Sequence, residues 1–216
     1  MTLVTTEHLI DQLAGTVRRS SPGAASRRLA AGIAVGAAIS LLLILAALGR
    51  PAASVQYTGI PAFTMKLSFS AAMAAAAAVL LYLSGHPGHR LGNRLYWIAV
   101  PPALVAVTAL MEMTATAPQY REQVWLGSTS HICLAAVTLL SLPILAGVSW
   151  AFRRLAPTRL RVTGFLAGTV AGSVAAIIYA LYCPETTASF LVTWYSLAIG
   201  AAGLVGLLLG PRLLKW

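Results

Sequence analysis

Six apolar stretches, at about residues 29–48, 62–83, 95–113, 131–150, 162–182 and 190–209, take up most of this 216-residue chain and leave it little freedom of fold. A helix crosses a hydrocarbon core of roughly 30 Å with about 20 apolar residues, and each stretch is near that length. No water satisfies backbone N–H and C=O groups inside lipid, so a spanning segment must be a helix or a strand of a closed barrel. The runs lack the two-residue alternation of barrel strands. The expected fold is therefore all-α, a polytopic six-helix transmembrane bundle. Composition agrees: 9% of residues are charged, against roughly 25% in a soluble domain. No long internal period marks an inverted-repeat transporter. The expected organisation is a tail over residues 1–28, one transmembrane domain over 29–210 and a short basic tail over 211–216.

The basic residues predict an orientation. Arg18, Arg19, Arg27 and Arg28 precede the first span, Arg90 and Arg94 follow the second, Arg153, Arg154, Arg159 and Arg161 follow the fourth, and Arg212 and Lys215 follow the sixth. These twelve fall on one side, while only Arg50 and Arg121 fall on the other and Lys66 lies within a span. The excess of Lys and Arg in short loops marks the cytoplasmic side, so both termini are expected there. The same bias, with contact to anionic membrane lipids, accounts for the net charge of +10, and a nucleic-acid partner is not expected. The polar stretch ahead of the first span argues against a cleaved signal peptide, whose apolar region is shorter and nearer the start.

This topology puts Cys133, at the start of span four, and Cys183, at the end of span five, near the outer surface. An oxidising compartment there permits a disulfide if the two Cα atoms approach within about 7 Å. Packing as small hydrophobes is the competing reading. His131 and Glu185 add a nitrogen and an oxygen, a set suited to a soft or borderline divalent metal. The plain alternatives are an interfacial histidine beside Ser128, Thr129 and Ser130, and a solvated loop carboxylate after Pro184, which ends the helix. No resident cofactor is required, and no grouping of nucleophile, base and orienting residue suggests an enzyme.

Lys66 lies about one turn inside span two and Glu112 in the last turn of span three. Ionisable groups within a membrane tend to face the bundle interior and find partners, so a structural Lys66–Glu112 pair is expected. Gly164, Gly168 and Gly172 share one face of span five, as Gly32, Gly36 and Ser40 do on span one, a spacing that lets backbones approach closely. Pro101-Pro102 and Pro143 are expected to kink spans three and four.

In the tail, Thr5 reads as an N-cap, and Leu9, Ile10, Leu13 and Val17 fall on one face of a short amphipathic helix ending near Arg18-Arg19. Its resting place is either the membrane surface or a groove on a cytoplasmic protein.

In order along the chain, "HLIDQLA", "FTMKLSFS", "LGSTSHICL", "SLPIL", "AFRRLAPTR", "GFLAGTVAG" and "YALYCPETTASFLVTWY" resemble the negative regulator of sigma-F family, over nearly the whole chain. These are six-span anti-sigma factors of the bacterial inner membrane that hold an extracytoplasmic-function (ECF) sigma factor inactive. The resemblance implies an ECF sigma factor as partner, gripped by the tail through Leu9, Ile10, Leu13 and Val17. It also implies that Cys133 and Cys183 form a sensing pair for heavy-metal or oxidative stress, with a metal ion as one possible signal. Where the family commonly has a histidine just before its second cysteine, this chain has Tyr182, which weakens a metal site more than a thiol switch. The alternatives are a small six-span channel or transporter, or a membrane thiol oxidoreductase, although no ladder of midplane polar residues and no second dithiol motif is visible.

Overall fold

The computed structural model describes residues 15, 23–49, 54–85, 92–153 and 159–215. Among them all regular structure is helical: α1 (Ala24–Leu48), α2 (Ser54–Ser84), a 3-10 segment (Gly92–Ala99) leading into α3 (Val100–Ala115), a short α4 (Arg121–Leu126), α5 (Ser130–Phe152), α6 (Leu160–Ala180), and a single turn, α7 (Ala188–Phe190), which continues through a π-helical turn (Leu191–Tyr195) into α8 (Ser196–Leu213). Six runs are long and apolar enough to cross a membrane: Ala25–Leu48, Gly59–Ser84, Arg94–Ala115, Pro118–Phe152, Leu160–Ala180 and Ala188–Leu213. They match the six expected spans, except that the fifth ends at Ala180, two residues earlier than expected. The expected tail helix, with Leu9, Ile10, Leu13 and Val17, lies outside the described residues.

The centre of the bundle is α6, which packs against α8, α2 and α5, while α1 lies against α5. Lipid tails are as apolar as leucine, so these helices associate by close van der Waals packing and interhelical hydrogen bonds, not by a hydrophobic driving force. Glycine permits that packing. A Cβ on Gly164 would run into the Gly206 carbonyl, one on Gly168 into the Ala202 carbonyl, and one on Gly172 would sit 2.8 Å from the Ala202 side chain. On the other flank, a Cβ on Gly32 would strike the Gly147 carbonyl, and one on Gly36 would come within 2.5 Å of the Ile144 Cα. Both small-residue stripes read from the sequence thus lie where two backbones meet.

Pro143 interrupts α5 next to that contact. A proline inside a helix removes one backbone donor and its ring crowds the preceding turn. In that turn the Leu140 carbonyl accepts a 2.7 Å hydrogen bond from Ser40 Oγ, the third member of the α1 stripe. Pro101 and Pro102 differ from expectation. They do not kink a helix but stand in the first turn of α3, where the 3-10 segment becomes α-helical. A first-turn N–H has no intrahelical partner to lose, so proline fits there at little cost. Span two departs as well: α2 starts at Ser54 and breaks at Gly59, whose φ of 72° and ψ of 158° are outside the helical region. The membrane-crossing run begins at that break, two residues before Pro61.

At the opposite end from the cysteines, Arg153 Nε donates 2.6 Å to the Leu213 carbonyl. A guanidinium is well placed there because helix C-terminal carbonyls lack intrahelical donors and carry the negative end of the helix dipole. The least enclosed span is α3, whose Leu104, Val107, Leu110 and Met111 are all exposed.

Gly168→Ala is expected to lower stability by about 2 kcal/mol, because its new methyl meets backbone instead of a side chain that can yield. Gly200 has open space around it, so Gly200→Ala should be neutral or slightly stabilising through helix propensity. Thermal unfolding of the two variants in the same detergent compares them directly.

Candidate functional site

The candidate site is built where α6 ends and α5 begins. Helix α6 closes with Tyr182 N–H donating to the Tyr179 carbonyl at 2.9 Å and Cys183 N–H to the same oxygen at 3.1 Å. Pro184 then halts the helix because its ring offers no N–H. Nearby, Cys133 N–H donates 2.8 Å to the Thr129 carbonyl, in the first turn of α5. Both cysteines are free thiols with no solvent exposure. They lie within electrostatic reach of one another and of Lys66, Tyr179, Tyr195 and Glu185. One buried cluster therefore joins two thiols, two phenols and the Lys66 side chain.

Lys66 and Glu112 have partners that the sequence did not suggest. Lys66, 2% exposed, donates from Nζ to the Cys183 carbonyl at 2.8 Å. Glu112 Oε2 accepts from Ser189 N–H at 2.8 Å and Ser189 Oγ at 2.7 Å. The expected Lys66–Glu112 pair is replaced by two separate contacts. The reason is packing: α2 lies along α6, so its lysine meets the end of α6, whereas α3 lies against α7, so its glutamate meets the N–H groups left free at the start of that turn.

Glu185 is held firmly. Its Oε1 accepts from Ser128 N–H at 2.7 Å, Ser128 Oγ at 2.8 Å and Thr129 Oγ1 at 3.1 Å. The turn that supplies these donors begins at Gly127, with φ 58°, and a Cβ there would lie 2.8 Å from the Glu185 carboxylate and 2.7 Å from the Phe190 ring. Only glycine combines that left-handed backbone with that approach. The sequence signal was present in "LGSTS", a glycine followed by hydroxyl residues, but nothing local marks a carboxylate 57 positions away.

His131 and Cys133 do not converge. Two residues along a helix turn about 200°, so neighbours at that spacing point to opposite sides. The imidazole is exposed and lies edge-on to Trp194, ring centres 6.2 Å apart, while the thiol is fully buried. Among the described residues no three His, Cys, Asp or Glu side chains gather as metal ligands. The set His131, Cys133, Cys183 and Glu185 therefore does not fit a shared metal ion.

Tyr195 was not anticipated. It lies in the π-helical turn, is fully buried, and its hydroxyl sits beside Cys183. Next to it, Trp194 Nε1 donates 3.0 Å to the Trp125 carbonyl and Trp125 Nε1 donates 3.2 Å to Thr193 Oγ1, tying the π-turn to α4. Tyr182 reaches the other way, donating 3.0 Å to the Gly49 carbonyl after α1.

Two curated relatives align over nearly their whole length. A probable anti-sigma-F factor NrsF of Azospira oryzae is 33% identical over 211 residues, covering 98% of this chain and 99% of the relative. The anti-sigma-F factor NrsF of Caulobacter vibrioides is 36% identical over 216 residues, with the same coverage. No solved structure matches. The family profile of NrsF, negative regulator of sigma F, covers residues 13–216, and the chain accordingly belongs to the negative regulator of sigma F family.

Proposed function

We propose that this protein is a membrane anti-sigma factor of the bacterial inner membrane that sequesters an ECF sigma factor and releases it when chemistry occurs at Cys133 and Cys183. The observation that carries the first part is the near full-length similarity to two proteins named anti-sigma-F factors. In this reading both termini are cytoplasmic, and the face formed by Leu9, Ile10, Leu13 and Val17 occupies a groove on the sigma factor, as an amphipathic helix does with a protein partner. The basic stretch from Arg153 to Arg161 assists from the same side.

The thiol pair suits a sensor by position. Cys133 is near the start of α5 and Cys183 just beyond the end of α6, so both lie at the open end of the hairpin whose closed end is the basic stretch. Twenty residues of α5 separate Cys133 from Arg153, a distance of about 30 Å along the axis. Reaction of the thiols with an oxidant or a thiophilic heavy-metal ion alters the fit of α5 against α6 at the open end. Such a signal acts only as far as it favours one packing over another. Because α1 is keyed to α5 through Gly32, Gly36 and Ser40, the same change bears on the span that carries the tail.

Deleting residues 1–20 should abolish co-purification of the sigma factor while leaving membrane insertion intact; undiminished capture would move the contact to the loops. Cys133→Ser with Cys183→Ser should remove induction of the sigma-dependent transcript by cadmium or peroxide. A wild-type response in that double variant would reduce the thiols to packing residues.

A further inference from the structure

We propose that Glu185 and the Gly127–Thr129 turn form a gate over the thiol pair, one that determines by size and charge which reagents reach Cys133 and Cys183. This rests on the reading of the two cysteines as the reactive groups and adds what selects their reaction partners.

Both thiols are fully buried, so any reagent must pass a cover. Towards the bundle interior that cover is dense: Val137, Tyr179 and Tyr195 are at most 2% exposed. Towards the rim it includes the buried Phe190 ring and a strap of exposed and half-buried polar groups. Thr129 is one helical turn before Cys133, Glu185 is two residues after Cys183, and the two segments are joined by the three hydrogen bonds converging on Glu185 Oε1. Ser128 is exposed and Glu185 only partly buried, so water competes for each of these bonds, and hydrogen bonds in that setting have a modest net strength. Opening the strap needs no break in a helix. The Cys133 N–H bond to Thr129 and the helical ladder behind it remain in place.

The gate also carries charge. Glu185 places a carboxylate at the mouth, and the buried Lys66 ammonium, fixed on the Cys183 carbonyl, stands behind it. An approaching anion meets the carboxylate first, while a neutral molecule or a cation does not encounter that barrier. Without the carboxylate, the lysine is left as the unbalanced charge and the preference reverses.

The test is the rate at which thiol-specific methanethiosulfonates label the full-length protein in detergent micelles, where both faces are accessible. One reagent carries a trimethylammonium group and the other a sulfonate. In each reaction a cysteine sulfur, losing its proton to water, attacks the reagent's sulfenyl sulfur; a mixed disulfide forms and methanesulfinate leaves. Glu185→Gln should raise both rates and raise the sulfonate rate further, lowering the cation-to-anion ratio by about threefold or more at low salt. Ser128→Ala with Thr129→Val keeps the carboxylate and removes two of its donors, so it should raise both rates by about threefold or more without altering their ratio. Thermal unfolding of each variant confirms that the bundle is intact. Wild-type rates in both variants, or an unchanged ratio in Glu185→Gln, would overturn the gate. Labelling reads access alone, so this outcome is independent of whether the cysteines control transcription.

Discussion

The rest of the molecule depends on how closely the α6 backbone approaches α8. Helices in lipid gain nothing from hiding leucine, so what holds them is the fit of one backbone into another. Gly164, Gly168 and Gly172 on one side, met by Ala202, Gly206 and Gly210 on the other, bring peptide groups into direct contact. Such an interface allows little sliding, because about every turn of either helix presents an atom the other cannot pass. Helix α6 is thereby a fixed post. The position of its last turn, and so of Cys183, follows from contacts made deep in the membrane.

Around that post the polar groups are few and specific. Lys66 fastens α2 to the end of α6, Ser40 fastens α1 to α5, and Glu112 fastens α3 to the start of the last span. Lys66 and Glu112 each meet a backbone group at a helix end that lacks an intrahelical partner, and Ser40 adds a bond to the Leu140 carbonyl in the turn before Pro143. This is the economical use of polarity in a membrane, where an unsatisfied group is costly. It also concentrates the unusual chemistry at one end, where two helices begin and one stops.

The spans were legible because apolar length alone encodes them, and the glycine stripes because a four-residue period survives in the sequence. The partners of Lys66 and Glu112 were not legible. Which neighbour a side chain meets depends on the rotation of its helix, and that is set by packing. Pro101-Pro102 were misread as a kink because a first turn and a mid-helix position look alike when the 3-10 segment before them also reads as apolar span. Glu185 read as a solvated charge since its donors come from a turn between other elements. His131 and Cys133, adjacent in the text as possible ligands, are separated by the geometry of the helix itself.

The π-turn at Leu191–Tyr195 carries a geometric consequence for the last span. One surplus residue in a helix advances everything after it by about 100°. The two parts of the span are therefore out of phase: the first turn presents Ser189 to α3, while the length after the π-turn presents Ala202, Gly206 and Gly210 to α6. A uniform helix has a single azimuth for its small residues and its polar ones. The dephased one serves two neighbours lying in different directions, and Tyr195 stands at the step between them.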